Sequence, residues 1–121
     1  MAAILTVDDS ASIRQAIKIA LSSQGHEVVE AGNGAEGLSK AEAGGFSLII
    51  TDLNMPVMDG LAMIRSLRAK PAGAGVPIIF LTTESDAGLK AEARAAGATG
   101  WLTKPFQPEQ LVNVVKKVLA A

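Results

Sequence analysis

Apolar and polar positions along the chain follow two rhythms that alternate. Residues 3–7 (Ala-Ile-Leu-Thr-Val) form a short apolar, β-branched run that reads as a strand, ended by Asp8-Asp9. Ser10 follows as a candidate N-cap, and Ile13, Ile17, Ala20 and Leu21 recur at helical spacing until Gly25, which closes that helix at its C′ position. Residues 27–31 predict a second, shorter strand, Asn33-Gly34 a turn, and residues 35–43 a helix carrying Leu38 and Ala41, ended by Gly44-Gly45. Leu48, Ile49 and Ile50 are a run typical of a strand buried on both faces, and it stops at Asp52. Pro56 and Asp59-Gly60 punctuate the loop beyond it, and Leu61, Ile64 and Leu67 mark a third helix ending near Lys70-Pro71.

Past a small-residue loop at 71–75, residues 76–81 predict a fourth strand stopping at Thr82-Thr83. Residues 86–96 predict an Ala-rich helix with Gly97 at its end, and residues 99–103 a fifth strand stopping at Lys104-Pro105. Pro108 suits the first position of the last helix, whose apolar face is Leu111, Val112, Val115, Val118 and Leu119. Five alternations of strand and helix predict an α/β fold: a parallel sheet with helices on both faces, joined by right-handed crossovers.

Composition narrows this further. At 121 residues the expectation is one domain spanning 1–121, with no linker, repeat or output domain. Hydrophobic residues make up 49% and aromatics 3%, so the core is expected to be Ile, Leu, Val and Ala. Eleven basic and twelve acidic residues leave a net charge of -1, which argues against nucleic acid as the main partner. The absence of cysteine rules out a disulfide framework and a thiolate metal site. No signal pattern or apolar run of about twenty residues is present, so the expectation is a cytoplasmic protein without a membrane partner.

The polar residues that end the strands carry the chemistry. An ionised carboxylate is a poor core residue, so Asp52 should sit where its strand leaves the core; taken alone, it reads more readily as a cap of the next helix or turn, since Asp is a common turn residue. However, Asp8 and Asp9 end the first strand, Asp52 the third, Thr82 the fourth and Lys104 the fifth. All should converge on one edge of the sheet, and fixed polar groups that converge mark a site. Three carboxylates held together repel one another and favour a divalent cation; with oxygen ligands only, Mg²⁺ is the natural occupant. A carboxylate can also act as a nucleophile and form an aspartyl phosphate. Lys104 would neutralise phosphoryl oxygens, and Thr82 would donate a hydrogen bond to another.

With these residues in place, the chain resembles the response-regulator receiver domains, and among them the single-domain CheY-like chemotaxis regulators. The motifs are Asp8-Asp9, Asp52 with Met55-Pro56 and Asp59-Gly60, Thr82-Thr83, and Lys104-Pro105-Phe106. The resemblance covers essentially the whole chain and implies a flavodoxin/CheY-like sheet of order 2-1-3-4-5 with five helices. It implies Asp52 as phosphoacceptor, with Mg²⁺ held by the Asp9 and Asp52 carboxylates and the Asn54 backbone carbonyl, and by Asp8 through water. Thr82 and Lys104 would hold phosphoryl oxygens, and the Lys104–Pro105 bond resembles one that is usually cis. The family's switch draws the Thr82 position toward the phosphoryl group and lets an aromatic three residues before the lysine turn inward. Here that residue is Trp101, larger than the usual Tyr or Phe, and a Trp simply packed on the last strand is the alternative. Thr83 is larger than the Ala often found in chemotaxis relatives and would narrow access to the phosphoryl group.

The resemblance thus implies a signalling switch and not an enzyme, beyond its own phosphorylation and dephosphorylation. A histidine kinase would be the phosphodonor, and an output protein such as a flagellar motor switch component the target, with the regulator itself a monomer. Asn54 with Glu84, two residues after Thr82, is the pair found in CheY-like chemotaxis regulators. The alternative within the family is a phosphorelay intermediate or phosphate sink. From another class, an aspartyl-phosphate phosphatase of the haloacid-dehalogenase type needs a general acid two residues after the nucleophile, where Asn54 cannot supply a proton. A flavodoxin-like cofactor binder would share the fold, but no phosphate-cradling Gly-rich loop follows the first strand here, which counts against it. His26, Lys116 and Lys117 read as surface residues, and Met55, Met58 and Met63 as packing around the loop.

Overall fold

Strands that are apolar on both faces cannot present either face to water, and this dictates the architecture. In the computed structural model, which describes residues 2–53, 55, 57–70, 75–83 and 89–120, such strands occupy the centre of a five-stranded parallel sheet. The elements run β1 (Ala3–Val7), α1 (Ala11–Ser22), β2 (Glu27–Ala31), α2 (Gly34–Glu42), β3 (Leu48–Asp52), α3 (Gly60–Arg68), β4 (Ile78–Thr82), α4 (Leu89–Ala95), β5 (Gly100–Thr103) and α5 (Pro108–Ala120). The sheet order is β2-β1-β3-β4-β5, as the family resemblance implied. β3 and β4 are buried along their whole length, whereas the edge strands β2 and β5 each keep partly exposed positions.

Two apolar layers sandwich the sheet. One joins Leu5, Val7, Ile49, Ile78 and Phe80 to Ala41 of α2, Met63, Ile64 and Leu67 of α3, and Ala93 of α4. The other joins Ile4, Ile50, Ile79 and Leu81 to Ile17 and Leu21 of α1 and Leu111 and Val115 of α5. The core is therefore aliphatic as expected, with Phe80 and Met63 added to it. Met55 and Met58 pack partly buried against the first layer. Among the described residues no helix is long and apolar enough to cross a membrane.

The structure moves several expected boundaries, each for a local reason. Asn33 is the N-cap of α2, its side chain accepting from the Glu36 N–H at 2.9 Å, so the helix starts at Gly34. Gly34 is required there because a Cβ would lie 2.1 Å from the Met58 carbonyl oxygen. Ser23 caps α1, and Gly25, with φ of 87°, lies two residues beyond it and not at C′. β4 begins after Pro77, which has no N–H to give the ladder, and it runs on to include Thr82. Thr99 precedes β5 and accepts the Ile78 N–H on its hydroxyl at 3.1 Å. Residues 71–74 of the expected loop at 71–75, and the start of the fourth helix at 86–88, lie outside the described residues.

One core position works against stability. Thr6 is fully buried in β1, and its hydroxyl has no hydrogen-bond partner among the described residues. A buried polar group left unpaired costs about 1–3 kcal/mol. Thr6→Val keeps the shape and removes the hydroxyl, so it is expected to stabilise the protein by about 1 kcal/mol. Urea titration should show a higher midpoint at unchanged slope.

Candidate active site

Register brings the chemistry together. Val7 pairs with both Ala31 and Thr51, Asp52 pairs with Leu81, and Thr82 pairs with Thr103. The carboxyl ends of the five strands thus finish nearly level, which brings Asp8, Asp52, Thr82 and Lys104 to the same edge of the sheet. In open parallel sheets this edge is where ligands bind.

The first acid, Asp8, is completely buried. It is held by the Ser10 N–H, which donates to its Oδ1 at 2.9 Å, and by Lys104, whose Nζ donates to its Oδ2 at 3.0 Å. The same Nζ donates to Asp52 Oδ2, also at 3.0 Å. Asp52 is buried at the end of β3, while Asp9 is exposed. One carboxylate oxygen from each of Asp8, Asp9 and Asp52 lies within 4.8 Å of the others. Burial disfavours the charge on Lys104, but its hydrogen bonds and Coulomb attraction to Asp52 and Asp8 outweigh this, and its pKa is raised above that of an ordinary lysine. Lys104 therefore stays cationic between the two acids. Its backbone N–H donates to the Thr82 carbonyl at 2.6 Å, and its bond to Pro105 is cis, as the resemblance suggested.

Capping falls to another acid. Asp59 is the N-cap of α3 and accepts the Ala62 N–H at 2.8 Å, so the reading of Asp52 as the cap of that helix is not what the chain adopts. Gly60 N–H donates to the Leu53 carbonyl at 3.0 Å, which draws the start of α3 tightly against the end of β3. Between them in sequence Val57 has a φ of 72° and is 83% exposed, a strained conformation for a β-branched residue.

Of the residues singled out in the sequence, Asp8, Asp9, Asp52 and Lys104 come together as expected. Thr82 lies at the adjacent strand end, fully buried, with its hydroxyl unpartnered among the described residues. Thr83 is exposed. Asn54, Pro56 and Glu84 lie outside the described residues. Trp101 is half-buried on β5 and pairs across the sheet with Phe80: the rings stack at 6.3 Å and 23°, and the Arg94 guanidinium lies 5.8 Å over the indole. His26 is half-buried and accepts the Ala2 N–H at 3.3 Å, and Lys116 and Lys117 are exposed.

Sequence reasoning passed over Arg14, which donates from Nη1 to the Asp8 carbonyl at 2.6 Å and from Nε to Glu30 Oε1 at 3.1 Å. A signal existed. A cation in the first turns of a helix opposes the helix dipole, and such a placement asks for a nearby anion.

Comparison with known proteins agrees with this geometry. The family described as the response regulator receiver domain matches residues 4–116. The chain is 39% identical over 118 residues to the chemotaxis protein CheY1 of Helicobacter pylori, covering 96% of this chain and 95% of CheY1. It is similar in structure to the Vibrio cholerae chemotaxis protein CheY4, with a TM-score of 0.92, 46% identity and 98% coverage of both chains. It is also similar to the receiver domain of the Pseudomonas aeruginosa sensor histidine kinase PA1611, whose structure has a magnesium ion coordinated in the active site cleft. There the TM-score is 0.91 and the identity 30%, with 99% of this chain and 98% of that one covered. Another curated relative, 36% identical over 116 residues, is spanned over only 47% of its length. A sheet of this order, an edge carrying three acids and a lysine, and a family match over nearly the full length leave one assignment: the chain belongs to the response-regulator receiver domains of two-component systems.

Proposed function

We propose that this receiver domain is a phosphoacceptor switch in which Asp52 takes a phosphoryl group from a histidine-kinase phosphohistidine, with Mg²⁺, and the changed surface is read by a protein partner in chemotaxis. The observation that carries this reading is the Lys104 ammonium, 3.0 Å from both the buried Asp8 and Asp52. A carboxylate oxygen of Asp52 would attack phosphorus while the P–N bond of the donor breaks, and the electron pair of that bond leaves on the imidazole nitrogen. Lys104 is placed to follow the charge onto the phosphoryl oxygens. The Thr82 hydroxyl, buried and unpartnered among the described residues, is a donor in want of an acceptor, and a phosphoryl oxygen is one.

The donor set fits the metal. Asp8, Asp9 and Asp52 offer only hard oxygen ligands, grouped within 4.8 Å, and an excess of negative charge that one lysine does not cancel. Asp9 and Asp52 would ligate by their carboxylates, Asp8 through water, and the Asn54 carbonyl would be the further ligand. When bound, Mg²⁺ supplies positive charge against the phosphoryl oxygens. The ion in the PA1611 receiver domain supports this reading. The likeness to CheY1 and CheY4 supports chemotaxis, with a flagellar motor switch component as the target. The second reading, a phosphorelay intermediate or phosphate sink, draws on the likeness to a receiver domain that belongs to a sensor kinase.

The switch has a built-in reporter. Phe80 stands two residues before Thr82 on β4 and stacks on Trp101, the sole tryptophan, so a pull on Thr82 should disturb that ring pair. Saturating beryllofluoride with Mg²⁺ is expected to shift Trp101 emission or its acrylamide quenching in the wild type, less in Thr82→Ala, and not in Asp52→Asn. A ligand shifts a conformation only through contacts that differ between states, and Thr82 is that contact. An unmoved Trp101 signal with bound mimic would remove the aromatic switch and favour the phosphate-sink reading.

A further inference from the structure

The Asp8 carbonyl belongs to the peptide group that joins Asp8 to Asp9, so whatever holds that oxygen sets how the two acids are presented. Arg14 holds it, from α1, at 2.6 Å, a charge-assisted hydrogen bond. The guanidinium is itself anchored, with Nε donating to Glu30 Oε1 at 3.1 Å, and its side chain is 20% exposed. Glu30 is fixed in turn on β2: Lys40 donates to its backbone carbonyl, and Lys18 lies 3.8 Å from its carboxylate. Asp8 has further ties, its N–H to the Ala31 carbonyl at 3.1 Å, the Ser10 N–H and Lys104. Asp9 has none: among the described residues no hydrogen bond or ion pair reaches its carboxylate, so its place depends on the peptide behind it.

We propose that Arg14 is a positioning residue of the metal site, holding the Asp8–Asp9 peptide so that the Asp9 carboxylate stays beside Asp8 and Asp52 against their mutual repulsion. The inference rests on the Mg²⁺ reading above. Groups that hold ligands in place, without touching the metal, commonly govern metal affinity by tenfold or more.

The sign of the effect separates this role from simple electrostatics. Arg14 is a cation near an acidic site, so by charge alone its removal should tighten Mg²⁺ binding. Positioning predicts the reverse. Titration calorimetry with MgCl₂ on the whole protein is expected to show about tenfold weaker binding for Arg14→Met. Arg14→Lys keeps the charge but replaces the rigid guanidinium fork with a single flexible nitrogen, so it should fall between. Glu30→Gln leaves the Asp8 contact and loosens its anchor, and should weaken binding less than Arg14→Met. Urea midpoints in EDTA report folding separately, and if Arg14→Met fails to fold, Arg14→Lys and Glu30→Gln carry the comparison. Unchanged or tighter Mg²⁺ binding in folded variants, even with lower stability, would overturn the positioning role. No heat of Mg²⁺ binding in the wild type would overturn the metal reading itself, and this inference with it.

Discussion

Asp52→Asn is expected to accept no measurable phosphoryl group from a phosphorylated histidine kinase or from a small donor such as acetyl phosphate, with labelling below about 1% of wild type. Losing one transition-state donor already costs about 10²–10³ in rate, and here the proposed nucleophile itself is lost. An amide oxygen carries no charge and cannot form the acyl phosphate. The loss should be chemical and not structural. Asn keeps the side chain's size, relieves part of the repulsion among the acids, and leaves the 3.0 Å contact between Lys104 and the buried Asp8 intact. Circular dichroism and the thermal midpoint should therefore stay at or above the wild-type values while labelling disappears. Label retained in Asp52→Asn would move the acceptor to another residue.

Gly60→Ala is expected to be the most damaging single methyl in the described part of the molecule's active edge. A Cβ on Gly60 would lie 2.1 Å from the Asp52 carbonyl oxygen, 3.0 Å from its carbon and 3.2 Å from Leu53 Cα. All three obstacles are backbone, so no rotamer change can relieve the clash. Either the start of α3 moves, breaking the Gly60 to Leu53 hydrogen bond, or the end of β3 moves and takes Asp52 with it. Overpacking of this kind costs about 3 kcal/mol, which for a chain of this size lowers Tm by roughly 10 °C. Mg²⁺ affinity and phosphoryl acceptance should fall together with stability. Gly75→Ala is the control: among the described residues nothing lies within 4 Å of a Cβ there, and its Tm should stay within about 2 °C, as for other surface substitutions. A Gly60→Ala protein as stable as that control would mean α3 is not bound to β3 in the way described.

These two residues also show what a one-dimensional reading can and cannot reach. The central strands β1, β3 and β4 were legible because their buried runs are continuous, and the site because a charged or hydroxylic residue stands at the end of four of the five strands. Asp8, Asp9, Asp52 and Lys104 needed only the topology to meet. Caps were harder. Asn33 and Asp59 look like turn residues, since the same side-chain oxygen that closes a turn can accept a helix N–H. The need for glycine at Gly34 and Gly60 was invisible, because it is set by backbone from distant elements and not by the residues' own neighbours. Burial of Asp8 was likewise out of reach: a strand-end acid is ordinarily solvated, and a fully buried one is made tolerable by the Ser10 N–H together with a lysine 96 positions away. Arg14 was passed over for the opposite reason, since a lone arginine on an amphipathic helix is usually a surface residue. Its partners on β1 and β2 are what give it a role.

The central claim is that Asp52 forms the covalent bond to phosphorus, and the most direct measurement is to locate that bond in the wild-type protein. Borohydride cleaves an acyl phosphate reductively and converts the acceptor aspartate to homoserine. After phosphorylation in Mg²⁺ and borohydride treatment, digestion with trypsin should yield the peptide 41–65, with homoserine at position 52 and Asp59 unchanged. That product should vanish when EDTA replaces Mg²⁺. Homoserine at position 8 or 9, or phosphate recovered on His26 or Thr82 with Asp52 intact, would contradict the account.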